Sequence, residues 1–69
     1  MSTENRLTLL TIAVRDITLI DKTHAKVATG PNARDLAQKA INRAFTAGAT
    51  NEQVQTAIKE GISWGNQTN

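Results

Sequence analysis

An all-α domain of three helices is the fold class this chain predicts, and three observations carry the prediction. Two short stretches of turn-forming residues, "TGPN" at 29–32 and "AGAT" at 47–50, divide the 69 residues into three segments. Within each segment the apolar residues recur at helical spacing. No Gly, Pro or tight-turn dipeptide interrupts the chain from Ser2 to Thr29. The expected architecture is one small domain: a long helix over about 3–28, shorter helices over about 33–47 and 51–60, and a polar tail over 62–69.

The first segment is the one whose local signals conflict. Read as a helix, it puts Leu7, Leu10, Val14 and Ile17 on one seam, flanked by Ala13 and Ile20 and extended by His24, Val27 and Ala28. Read as strands, "ITLI" and "AKVAT" on either side of "DKTH" form a β-hairpin. Several Thr, Ile and Val residues suit that reading by propensity, and it would make the fold α+β. Length favours the helix. At about 1.5 Å per residue, a helix from Thr3 to Ala28 spans about 39 Å and the two later helices together span about 37 Å, so one long helix can carry both. Leu9, Ile12 and Leu19 fall on the face opposite the seam. A single intramolecular layer cannot bury both faces, so a homodimer through the first helix is expected.

The second helix is the most clearly written. Asn32 is a good N-cap, Asp35 suits the positive end of the helix dipole, and Gly48 can take the left-handed position that closes the helix. Leu36, Ala37, Ala40, Ile41, Ala44 and Phe45 form its apolar stripe, with Phe45 expected in the core. The third helix opens with Thr50 and Gln53 as a capping box and with Ala49 and Val54 as a hydrophobic staple. Gly61 followed by Ile62 reads as its end, with Ile62 over Ala57. Its apolar stripe, Val54, Ala57 and Ile58, is short, so the helix must dock on the other two to be stable.

Composition removes several function classes. There is no Cys and one His, so disulfides and thiolate sites are excluded and a metal or haem centre has almost nothing to build from. No apolar run is long enough to span a bilayer or act as a signal peptide, and the chain reads as a complete cytoplasmic protein. Eight Lys and Arg against six Asp and Glu leave a net charge of +2, interspersed rather than clustered. A thin positive balance of that kind gives little nonspecific affinity for phosphates. A chain this short buries a core worth only a few kcal/mol of net stability, which again favours self-association.

Catalytic constellations are not visible. Asp21 and His24 share a helical face, but no nucleophile or pocket is indicated for them to serve. Glu52 and Glu60 read as solvated helix residues. The four glycines are too widely spaced for a phosphate loop. No enzyme, no cofactor and no metal is therefore expected. On the second helix Asp35 and Lys39 are placed to pair, and Arg34, Lys39 and Arg43, with Lys59 on the third helix, are the residues a nucleic-acid partner would use. Trp64, in the polar stretch "SWGNQTN", is either a lid folded over the core or an exposed anchor for a partner.

The run from "ARDLAQKAINRAFTAGAT" into "NEQVQTAIKEGIS", about Ala33 to Ser63, resembles small helical accessory proteins of actinobacteria and their phages. In these an Ala-rich helix, an "AGAT" or "AGAS" turn and a further helix lead through "GVS" into a recognition helix. The resemblance implies a helix-turn-helix-like supporting helix over Thr50 to Ile58, with base reading assigned to the residues after Ser63. Here Lys59 and Glu60 lengthen the interval before Gly61, Gly65 interrupts the segment beyond it, and only six residues come after Ser63. The function expected is therefore that of a small non-enzymatic regulatory protein acting by self-association and by contact with a protein partner. Leu9, Ile12, Leu19 and Trp64 are the contact residues. The alternative is a dimeric DNA-binding regulator using Arg34, Lys39, Arg43 and Lys59.

Overall fold

The computed structural model describes residues 2–23 and 33–67 and contains three helices: α1 (Thr3–Thr23), α2 (Ala33–Thr46) and α3 (Asn51–Gln67). The expected continuation of α1 over 24–28, with His24, Val27 and Ala28, and the expected cap at Asn32 lie outside the described residues.

The all-α reading holds, with the long first helix packed against the other two. The hairpin alternative is overturned, because Ile17 to Ile20, its proposed first strand, lies inside α1. The reason is visible in the threonines. Thr8, Thr11 and Thr18 each donate a side-chain hydrogen bond to the carbonyl four residues earlier, on Glu4, Leu7 and Val14. A threonine that bonds back onto its own helix satisfies its hydroxyl without leaving helical geometry, so β-propensity does not decide this segment. Ser2 caps the start, its Oγ accepting the Asn5 N–H at 3.2 Å.

The connection between α2 and α3 follows the expected pattern. Gly48 has φ 101°. Its N–H donates to the Phe45 carbonyl, and the Ala49 N–H reaches back to the Ala44 carbonyl at 2.9 Å. This pair of bonds satisfies carbonyls that the end of α2 would otherwise leave open. The capping box then starts α3: the Gln53 N–H donates to Thr50 Oγ1 at 3.1 Å and the Thr50 N–H to Gln53 Oε1 at 2.9 Å. Ala49 and Val54, the staple pair, are both buried.

The far end of α3 differs from expectation. The helix does not stop at Gly61 but runs on to Gln67, so 62–67 is helix rather than a polar tail, and Ile62 is exposed. Gly61 serves close approach instead of chain reversal. A Cβ there would lie 2.6 Å from the Thr11 carbonyl oxygen and 2.7 Å from Val14 Cβ, and one at Gly65 would lie 2.6 Å from Thr18 Cβ. Ala57, Gly61 and Gly65 form a small-residue stripe, and α1 lies directly against it.

Contacts rise together along the two helices, Thr11 with Ala57 and Gly61, then Thr18 with Gly65, so α1 and α3 are parallel. In contrast, Thr3 Oγ1 donates to the Ala47 carbonyl at 2.7 Å while Asp21 meets Arg34, so α2 is antiparallel to α1. The α2 and α3 helices touch each other little, and α1 is the common support. The Cα envelope is 34 × 21 × 16 Å, thin along its shortest axis.

The core is correspondingly slight. Leu10 and Val14 of α1 pack with Ala44, Ala49, Val54 and Ala57, and Leu7, Ala40, Ile41 and Ile58 close its edges. Phe45, expected in the core, is 44% exposed, and Leu36, on the same expected stripe, is 40% exposed. Only the Ala37–Ala44 line of α2 is buried. An apolar stripe needs cover on both sides, and α2 is covered on one.

Candidate functional site

The antiparallel α1 and α2 leave a groove of about 220 Å³ on the side away from α3. Its position follows from side-chain size. Ala13 and Ala40 are too small to fill the space between the helices, and Leu9, Ile12 and Leu36 complete its apolar lining. Leu9 and Leu36 are exposed and Ile12 is half-buried, so the depression is apolar and open to solvent.

Four charged residues complete the lining: Arg6, Lys39, Arg43 and Asp16. The antiparallel register, fixed by the Thr3–Ala47 and Asp21–Arg34 contacts, sets Arg6 and Arg43 toward one end and Asp16 with Leu36 toward the other. Asp16 is already engaged. Arg15 donates to its Oδ1 from Nη2 at 3.0 Å and from Nε at 3.3 Å. Lys39 pairs with Asp35 at 3.3 Å, as its spacing predicts, on an exposed surface where such a pair contributes little. Neither Arg6 nor Arg43 has an ion pair or a side-chain hydrogen bond with a described residue.

The groove brings together Leu9, Ile12, Lys39 and Arg43 from among the residues the sequence singled out, and it separates the others. Leu19 lies further along α1, half-buried and outside the groove lining. Arg34 is bound to Asp21 through two hydrogen bonds, at 2.8 and 3.0 Å. Lys59 is exposed on α3, a helix that contributes nothing to the groove. Trp64 is neither a lid nor part of a tail. It stands on the last turns of α3, 42% exposed, with the Arg15 guanidinium 4.4 Å from its ring centroid. Arg15 thus joins Trp64 to Asp16, linking the edge of α3 to the lining of the groove across the outer face of α1.

Sequence reading missed Arg6, Ala13, Asp16, Leu36 and Ala40 as members of this site. Leu36 and Ala40 are four residues apart and therefore share a face. Arg6, Leu9, Ala13 and Asp16 likewise share a face of α1 at spacings of three and four, but which faces of the two helices meet is not written in either segment.

A second groove, about 360 Å³, runs between α1 and α3 and has a different character. Thr8, Thr11, Thr50, Gln53 and Thr56 line it together with Glu52 and Glu60, over Leu7 and Ala57, and it holds no Lys or Arg. No group of three His, Asp or Glu among the described residues is placed to hold a metal ion, and no described helix is long and apolar enough to cross a membrane.

No family model, no curated protein and no solved structure matches the chain. Its functional reading rests on the site itself.

Proposed function

We propose that the protein is a non-enzymatic regulator that acts by contact with another protein, with the α1–α2 groove as its principal contact surface. The observation that carries this reading is the groove's composition. Leu9, Ile12 and Leu36 are offered to solvent over small alanines, and two arginines without a described partner stand at one end. Apolar anchors with a charged rim are the usual make-up of a surface that binds protein, and the carboxylate and ammonium in the lining, Asp16 and Lys39, are each ion-paired within their own helix, with Arg15 and Asp35. Trp64, exposed beside Arg15, extends the contact surface to the neighbouring edge of α3. Such a protein would regulate by occupying its partner's surface.

Self-association through the outer face of α1 is the competing way to cover Leu9 and Ile12, and analytical ultracentrifugation tests it. A DNA-binding role is the second reading, favoured by one observation: Arg6, Lys39 and Arg43 share one groove. It predicts binding to duplex DNA that weakens steeply with salt and falls further when Arg43 is replaced. The test of the main reading is a quantitative pull-down from nuclease-treated native lysate with the wild type, Leu36→Glu and, as a control at an exposed position of α3 outside the groove lining, Gln55→Glu. A partner retained by the wild type and Gln55→Glu but lost by Leu36→Glu supports protein contact through the groove. Capture that disappears with nuclease treatment would sink it.

A further inference from the structure

The groove's charge distribution selects among the things that could fill it, and this inference rests on the reading of the groove as a protein-contact surface. From the exposed apolar anchors and the two arginines, we propose that the occupant is an amphipathic helix of a different protein, carrying carboxylates at the end that meets Arg6 and Arg43. The groove between two antiparallel helices has the form that receives the apolar face of a third, with anchors at spacings of three and four residues. Ala13 and Ala40 provide the depth, and Leu9, Ile12 and Leu36 provide the walls. Arg6 and Arg43 then supply the direction, because a helix laid in the groove with its acidic end beside them is favoured over the reverse orientation.

A second copy of this chain fits less well. With two grooves face to face and parallel, Arg6 and Arg43 of both copies would cluster in one apolar interface; with them antiparallel, the arginines would meet the end that carries Asp16, a carboxylate already held by Arg15 of its own chain. Burying guanidinium groups without counter-charges is unfavourable. Nucleic acid also fits less well. Lys39 is shared with Asp35, and a phosphate backbone tracking Arg6 and Arg43 would leave Leu9 and Leu36 uncovered. An acidic amphipathic helix satisfies both halves of the surface.

The probe is a displayed library of helical peptides in which apolar anchors are fixed at helical spacing and the flanking positions are random, selected on the full-length protein. Enriched peptides should carry Asp or Glu clustered toward one end. The best of them, labelled and followed by fluorescence anisotropy, should bind at least ten-fold more weakly to Leu9→Glu and to Arg43→Glu. Repeating the selection on Arg6→Glu/Arg43→Glu should enrich lysine-flanked peptides instead. Circular dichroism of each variant establishes that it is folded; should one fail to fold, Leu36→Glu for the apolar half and Arg43→Gln for the basic end carry the same comparison. Enrichment without an acidic bias, with binding still lost in Leu9→Glu, would overturn the acidic partner and leave the groove standing as a contact surface. Failure to enrich any peptide, or a wild-type homodimer that Leu9→Glu dissociates, would overturn the inference, as would duplex DNA that binds through Arg43 and displaces the selected peptide.

Discussion

Along one side of α1 the chain places Ala57, Gly61 and Gly65, and the two backbones approach until a single methyl group would collide. Along the other side it places Leu36, Ala40 and Arg43, and the helices leave an open groove. The same helix therefore makes two unlike seams. Along the Ala57–Gly61–Gly65 line the α1–α3 seam excludes side chains and gains its stability from close contact, with the threonine-lined groove beside it. The single Thr11 hydroxyl proton is shared between the Leu7 carbonyl at 3.1 Å and the Ala57 carbonyl at 3.2 Å. The α1–α2 seam leaves apolar side chains in solvent at a continuing cost. The first seam thus holds the fold together and the second is available for a partner, so substitutions on the two sides should separate stability from binding.

The largest loss of stability is expected inside the shared core. Leu10 is fully buried, and Leu10→Ala should cost about 2–5 kcal/mol in chemical denaturation, a large share of what a domain this small possesses. Gly61→Ala comes next. Alanine favours helix by about 1 kcal/mol over glycine, but the new Cβ would meet the Thr11 carbonyl oxygen at 2.6 Å. Overpacking should exceed that gain and leave a net loss of about 1–2 kcal/mol, read as a lower melting temperature. If Gly61→Ala were more stable than wild type, the close-packed seam would be refuted. Thr50→Ala removes the acceptor for the Gln53 N–H and should cost about 1 kcal/mol. The smallest change is expected in the groove: Leu9→Glu and Leu36→Glu should cost about 1 kcal/mol or less, since both residues are 40% or more exposed, while weakening partner binding.

The features legible in the sequence were those written in neighbouring residues. Gly48 as the end of α2, and Thr50 with Gln53 as the start of α3, depend on hydrogen bonds across a few positions, and each can be read without knowing the fold. Thr8, Thr11 and Thr18 were ambiguous because a hydroxyl that bonds to the preceding turn suits a helix as well as branched side chains suit a strand. A glycine followed by isoleucine, as at Gly61, fits both a helix end and a close helix crossing, and that pair alone does not choose between them. The i, i+4 row Ala57, Gly61, Gly65 was the signal that favours the crossing. Periodicity alone puts Phe45 in the core and Leu36 on the apolar stripe, and it cannot tell that α2 and α3 barely meet. In the groove, Leu9 and Ile12 were legible as surplus apolar surface on α1. Arg6, Leu36 and Ala40 were not, because their meeting depends on the register between two helices.

The central claim is that the α1–α2 groove, and not the outer surface generally, receives another protein. Site-specific photo-cross-linking tests it most directly, with a photoreactive side chain placed at Leu36 in one sample and at Gln55 in another. The expected result is a nuclease-resistant cross-link to a distinct polypeptide from position 36 and none from position 55. Equal cross-linking from both positions, or a product from position 36 of twice the chain's own mass, would contradict it.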